Sequence, residues 1–112
     1  MKAFYEATQA DHLDPIRIFE EMASVGEQSV LIDEDALPDE FFDLSTGVAG
    51  EFLNKMAVYR VRLACVISDL SSYSEHFQAF AREFNKGRDM RFFSTREDAI
   101  RWLQIDRSFE FP

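Results

Sequence analysis

The sequence predicts one α/β domain built on a small, mainly parallel sheet of three to four strands, with helices packed chiefly on one face. Three observations predict it. Short apolar runs occur at residues 29–32, 61–67 and 90–93. Two-faced helical stretches lie between them, long enough to cross over a sheet. The resulting order is helix, strand, helix, strand, helix, strand, helix, which is the pattern of a parallel sheet with right-handed crossovers. A chain of 112 residues fits one domain. Its core is expected over about 12–105, with 1–9 and 106–112 peripheral.

Residues 2–8 are compatible with a short edge strand or with a frayed end. Asp14-Pro15 is a cap followed by proline at the first helical position. That helix is expected to run to about Ser24, to bury Ile16, Phe19, Met22 and Ala23, and to end at Gly26. Residues 29–32 form a branched apolar run before an acidic loop, the pattern of a buried strand. Leu37-Pro38 breaks the chain ahead of a central helix, capped by Ser45 or Thr46 and ending near Tyr59. Its stripe is Val48, Ala49, Phe52, Leu53, Met56 and Ala57, with Glu51 and Lys55 paired on the other side.

Residues 61–67 are the strongest strand, apolar enough to require cover on both faces. Ser74, or Ser72 with Glu75, starts the next helix, whose stripe is Phe77, Phe80, Ala81 and Phe84. A strand follows at 90–93. Ser94-Thr-Arg-Glu97 has the form of a capping box opening a last helix that buries Ala99, Ile100 and Leu103. In the tail, Phe109 and Phe111 are expected to dock on the body or to meet a partner.

Charge narrows the functional classes. The net charge is −9, and it is uneven: residues 1–53 hold 2 basic and 13 acidic groups, residues 54–112 hold 10 and 8. Such a chain repels phosphate backbones, so no nucleic-acid partner is expected. Apolar runs stay well short of the roughly 18 residues a membrane span needs, and the N-terminus has no signal-peptide pattern. A cytoplasmic protein is expected. Cys65, the one cysteine, sits in an apolar run as a small buried thiol. Twelve phenylalanines suggest aromatic packing and a surface that pairs with another chain.

Phosphate-cradling glycine motifs and a serine nucleophile elbow are both missing from the sequence. His12 and His76 have no metal-ligand spacing and are expected at the surface. The strand ends carry Asp33, Asp69 and Ser94, an alternative site for a small ligand or magnesium ion. No resident cofactor or metal is expected. The most informative stretch is the turn with Phe41, Phe42, Asp43, Ser45, Thr46 and Gly47. A hydroxyl at a helix start accepts from unpaired N–H groups, and the same end favours added negative charge. Phosphorylation there would add about −1.5 to −2 charge beside Asp39, Glu40 and Asp43.

These residues carry a resemblance. Val30 to Asp33, Asp43-Leu-Ser-Thr-Gly47 opening a helix, Val61 to Val66, and Phe93 to Ile100 follow the layout of STAS domains, a STAS/SpoIIAA-like fold. In that family an Asp-Ser-Ser/Thr-Gly turn is phosphorylated by a partner kinase. The resemblance maps the modified hydroxyl to Ser45 or Thr46, although Leu44 replaces the first hydroxyl residue after Asp43. Over roughly residues 28–103 the chain is also similar to domain-of-unknown-function family 4180. That similarity rests on Glu40 to Glu51, Tyr59 to Ala64, Glu83 to Gly87 and Ala99 to Leu103. Members of that family usually begin with a further pair of strands, so a short sheet edge, or one covered by a second subunit, is expected.

A non-enzymatic, STAS-like interaction module is therefore expected, homodimeric, with an unidentified protein partner and the turn from Phe41 to Gly50 in its surface. An exposed Phe41–Phe42 pair would be the anchor. The alternatives are a ligand- or magnesium-binding domain, with an enzyme among its forms, at Asp33, Asp69 and Ser94, and an acidic inhibitor of a basic partner.

Overall fold

The computed structural model describes residues 4–104. Phe109 and Phe111 lie outside the described residues. Four strands form one sheet: β1 (Tyr5–Ala7), β2 (Ser29–Asp33), β3 (Arg62–Val66) and β4 (Met90–Phe93). Every neighbouring pair is parallel and the spatial order is β1-β2-β3-β4. The helices are α1 (Pro15–Val25), α2 (Asp39–Phe42), α3 (Val48–Val58), α4 (Glu75–Phe84) and α5 (Arg96–Leu103). The edge strand left open by the sequence is formed, and Phe4 just before it and Ala7 at its end are buried.

Strand order that follows chain order has a consequence. Crossovers of one hand then all fall on one side of the sheet. Helices α1 to α4 pack there against Ala7, Val30, Ile32, Leu63, Cys65 and Phe92. Alternate strand residues point the other way. Phe4, Leu31, Ala64 and Val66 form a second, smaller core, covered by Ala99 and Leu103 of α5. Both faces of β2 and β3 are thus dry, which is why their sequences are continuously apolar. Each fully buried Leu, Ile or Phe contributes about 1.5–3 kcal/mol.

Arg62 is the exception within β3. It is 1% exposed. Its guanidinium lies 3.8 Å from the centre of the Trp102 ring, and Nη2 donates to the Trp102 carbonyl at 2.9 Å. A cation stacked on indole and bonded to α5 is compatible with burial.

Helix ends follow local chemistry. The Asp14 carboxylate accepts from Ile16 N–H at 3.1 Å, and Ser74 Oγ accepts from Phe77 N–H at 3.1 Å. Helix α5 is capped by Thr95, whose Oγ1 accepts from Asp98 N–H at 3.1 Å, so Ser94 is not the cap. The start of α3 also differs from expectation. Its cap position is Gly47, which turns the chain with a positive φ of 78° and offers no side-chain bond.

The expected α1 stripe is only partly right. Met22 is buried and Phe19 half-buried, but Ile16 and Ala23 are exposed, and Ile18 is buried in their place. The helix is rotated so that Ile18 and Met22, four apart, face the sheet.

Candidate functional site

The turn between α2 and α3 is built from short polar contacts. Asp43 Oδ1 accepts from Ser45 N–H at 3.1 Å and from Ser45 Oγ at 2.6 Å. Those two donors hold the Asp43 carboxyl below its ordinary value. Thr46 does different work. Its Oγ1 lies 2.7 Å from the Glu40 carbonyl and 2.8 Å from that of Asp43, and it accepts from Val48 N–H at 3.2 Å. The threonine hydroxyl thus knits α2 to α3. Ser45 is exposed and bonded to an exposed carboxylate.

The expected exposed aromatic pair is not there. Phe41 is fully buried, with its ring 5.9 Å from that of Phe77. Phe42 is half-buried and stacked on Tyr73, with centroids 4.1 Å apart and planes 6° apart. In a four-residue helix, adjacent aromatics cannot both face solvent when one must close the core over α4. The surface here is therefore polar: Asp39, Glu40, Asp43, Ser45 and Thr46 are exposed, with Gly47 beside them.

At the carboxyl ends of the strands, the residues expected to form a ligand site have separate partners. Asp33 pairs with Arg96, at 2.5 Å between Oδ2 and Nη1, and its Oδ1 accepts from Glu34 N–H at 3.2 Å. Arg96 also reaches Glu6, at 2.8 Å and 3.1 Å. These carboxylates raise the Arg96 pKa further, with the Glu6 bond first. Asp69 caps its own turn, accepting from Ser71 Oγ at 2.5 Å and Ser71 N–H at 3.2 Å. Ser94 is exposed. Among the described residues, no group of three or more His, Cys, Asp or Glu could hold a metal ion.

Glu34, which follows Asp33 at the end of β2, links two loops. Oε1 accepts from Ser68 N–H at 3.1 Å and Ser68 Oγ at 3.2 Å, and Oε2 accepts from the Tyr73 hydroxyl. The hydrogen bond to Glu34, then burial, pushes the Tyr73 phenol up to about 12. Asp11 is a carboxylate that no sequence pattern singled out, 2% exposed and bonded to Tyr5, Thr8 and Arg17. Arg96 did leave a signal. A basic residue in the first turn of a helix opposes the helix dipole, so a carboxylate partner is to be sought for it.

His12 and His76 are exposed, as expected. The Cys65 thiol is fully buried, and burial pushes its pKa up, which disfavours the reactive thiolate.

A sequentially wound, wholly parallel α/β domain with a polar, hydroxyl-bearing turn before its third helix is the class that these features define. The chain belongs to the domain of unknown function family DUF4180, whose model matches residues 6–103, from β1 to the end of α5. No curated protein and no solved structure gives a significant match. Among the described residues, no helix is long and apolar enough to cross a membrane.

Proposed function

We propose that this chain is a cytoplasmic, non-enzymatic interaction module whose binding surface is the turn from Asp39 to Gly50, switched by phosphorylation of Ser45. One observation carries the reading. Ser45 presents an exposed hydroxyl two residues ahead of the Gly47 turn into α3, while the Thr46 hydroxyl is engaged by backbone. A phosphate on Ser45 would gain from the positive end of α3 and would be repelled by Asp43. Its effect is therefore to drive Asp43 off the Ser45 N–H and reopen the turn. A STAS-like partner kinase and a partner protein fit that role. A homodimer would form along β1 or β4, the outer strands of the sheet among the described residues.

The test is mass spectrometry of the protein purified from its native host, alongside Ser45→Ala and Thr46→Ala variants. Phosphate is expected on Ser45, retained in Thr46→Ala and lost in Ser45→Ala. A Ser45→Glu variant should change the set of proteins captured. An unmodified Ser45 under all growth conditions, or identical capture by Ser45→Glu and the parent, would sink the proposal.

A further inference from the structure

Among the described residues the sheet ends on two outer strands, β1 and β4. An outer strand presents a row of N–H and C=O groups with which another chain can pair, and proteins blunt such rows. β1 is three residues long and carries Glu6 at its centre, the short and charged kind of edge that resists pairing. β4 has neither protection. It reads Met90-Arg-Phe-Phe93, three apolar residues in four, without proline.

The outward groups of β4 can be named. The Asp89 carbonyl accepts from Leu63 N–H at 2.7 Å, and the Phe93 carbonyl accepts from Ile67 N–H at 2.8 Å. Both bonds lie on the side of β3. Backbone groups of successive strand residues point to opposite sides, so Met90 and Phe92 turn theirs away from β3. Phe92 is met there by a side chain. Its N–H donates to Asn85 Oδ1 at 2.7 Å, and its carbonyl accepts from Asn85 Nδ2 at 3.4 Å.

A side-chain amide holds an acceptor and two donors, so it can satisfy both groups of one residue. A facing residue in an antiparallel ladder does the same with its backbone. Asn85 therefore stands where an added strand would begin. The end of α4 puts it there. Asn85 N–H donates to the Ala81 carbonyl at 3.0 Å, and Gly87 N–H donates to that of Phe84 at 3.0 Å. A Cβ on Gly87 would lie 3.3 Å from the Phe84 carbonyl, so the turn closes tightly and brings the Asn85 amide back beside β4.

We propose that Asn85 closes the β4 edge, holding both outward groups of Phe92 so that a second copy of the chain cannot extend the sheet on that side. This guard does not depend on the homodimer proposed above, and it removes β4 from the edges open to such a dimer.

Sedimentation velocity of the full chain over a concentration series tests the guard. Asn85→Ala frees both Phe92 groups and is expected to raise the average mass about twofold or more over the parent's at equal concentration. Asn85→Asp still accepts from Phe92 N–H and adds a charge at the edge, so it should keep the parent's size. Met90→Lys in the Asn85→Ala background sets a lysine on the strand and should restore that size. Amide exchange of the parent gives a reading that needs no variant: Phe92 N–H should exchange about tenfold more slowly than an unbonded amide. An Asn85→Ala protein of the parent's size overturns the proposal, as does association that Met90→Lys leaves in place. So does a Phe92 amide that exchanges freely in the parent, or one whose protection falls on dilution, which would put a second copy on β4.

Discussion

Arg96 and Asp33 meet at 2.5 Å between Nη1 and Oδ2, and the same guanidinium holds Glu6 at 2.8 Å. One side chain at the start of α5 therefore ties β1 to β2 at their carboxyl ends. β1 is only three residues long and, among the described residues, pairs on one side alone, so it depends on such outside help. Removing the guanidinium would leave two carboxylates facing each other. All three groups are partly exposed, which limits the effect through screening. Arg96→Ala is expected to lower stability by about 1 kcal/mol in low salt, and by less in 1 M salt, where the Debye length is about 3 Å. Urea unfolding at both salt levels measures it.

Ser45 and Thr46 are neighbours with opposite roles. Thr46 Oγ1 contacts two carbonyls and caps Val48 N–H, so Thr46→Ala strips one hydroxyl from three backbone partners. A cap loss of about 1 kcal/mol is expected. Ser45→Ala removes a bond between two exposed groups and should stay within about 0.5 kcal/mol of the parent. Equal losses in denaturant titrations would refute the division of labour.

The fold was legible because the hydrophobic pattern has few alternatives. Three apolar runs separated by helical stripes can only close as a crossover sheet, and Gly26, Ser74 and Thr95 mark helix ends by chemistry that is local. What escaped was long-range. Arg96 reaches Glu6 across 90 positions of sequence and Tyr73 reaches Glu34 across 39. No local signal could pair them, although an arginine in a first helical turn hinted at a partner. The rotation of α1 also escaped, since Ile16, Phe19 and Ala23 make as good a stripe as Ile18 and Met22. Similarly, Phe41 and Phe42 are identical in type and both rings meet that of Phe77, so which of them is buried is set by tertiary packing that local sequence does not show. Residues His12 and Leu13 both have a positive φ of 53°. That conformation has no signature in a His-Leu pair and is set by its surroundings.

Helices α1 and α3 end side by side in the same way, but with different residues. Glu27 N–H donates to the Met22 carbonyl at 2.9 Å, and Val61 N–H donates to that of Met56 at 3.1 Å. The left-handed position is Gly26 in one (φ 74°) and Arg60 in the other (φ 57°). Glycine adopts that region without steric penalty, whereas the Cβ of arginine makes it unfavourable. Arg60→Gly is therefore expected to raise stability by about 0.5–1 kcal/mol, and Gly26→Ala to lower it by a similar amount or more. Among the described residues nothing lies within 4 Å of a Cβ at Gly26, so backbone strain is what is tested there. Thermal unfolding of the two variants reads both signs, and a destabilised Arg60→Gly would mean that the side chain contributes more than its strained backbone costs.

Asp11 sets the acid limit of the region around β1. Burial alone would raise its pKa, but the Thr8 N–H, the Tyr5 hydroxyl and Arg17 outweigh burial and hold it below its ordinary value. A native pKa under the unfolded value of about 3.9 means that the ionised form favours the fold. Its contribution is complete above the unfolded value and is lost as the pH falls through the native one. Tyr5 mirrors it. Burial, then its bond to Asp11, pushes the phenol up to about 12, so its contribution holds below the unfolded value of about 10 and is lost as the pH climbs through the native one. Urea midpoints across pH should therefore fall at both ends in the parent. Asp11→Asn is expected to start from a lower plateau and to show a shallower acid limb. Tyr5→Phe should flatten only part of the alkaline limb, because Tyr73 is raised to about 12 by Glu34 as well. An acid limb as steep in Asp11→Asn as in the parent would assign acid sensitivity to other carboxylates and remove Asp11 from this role.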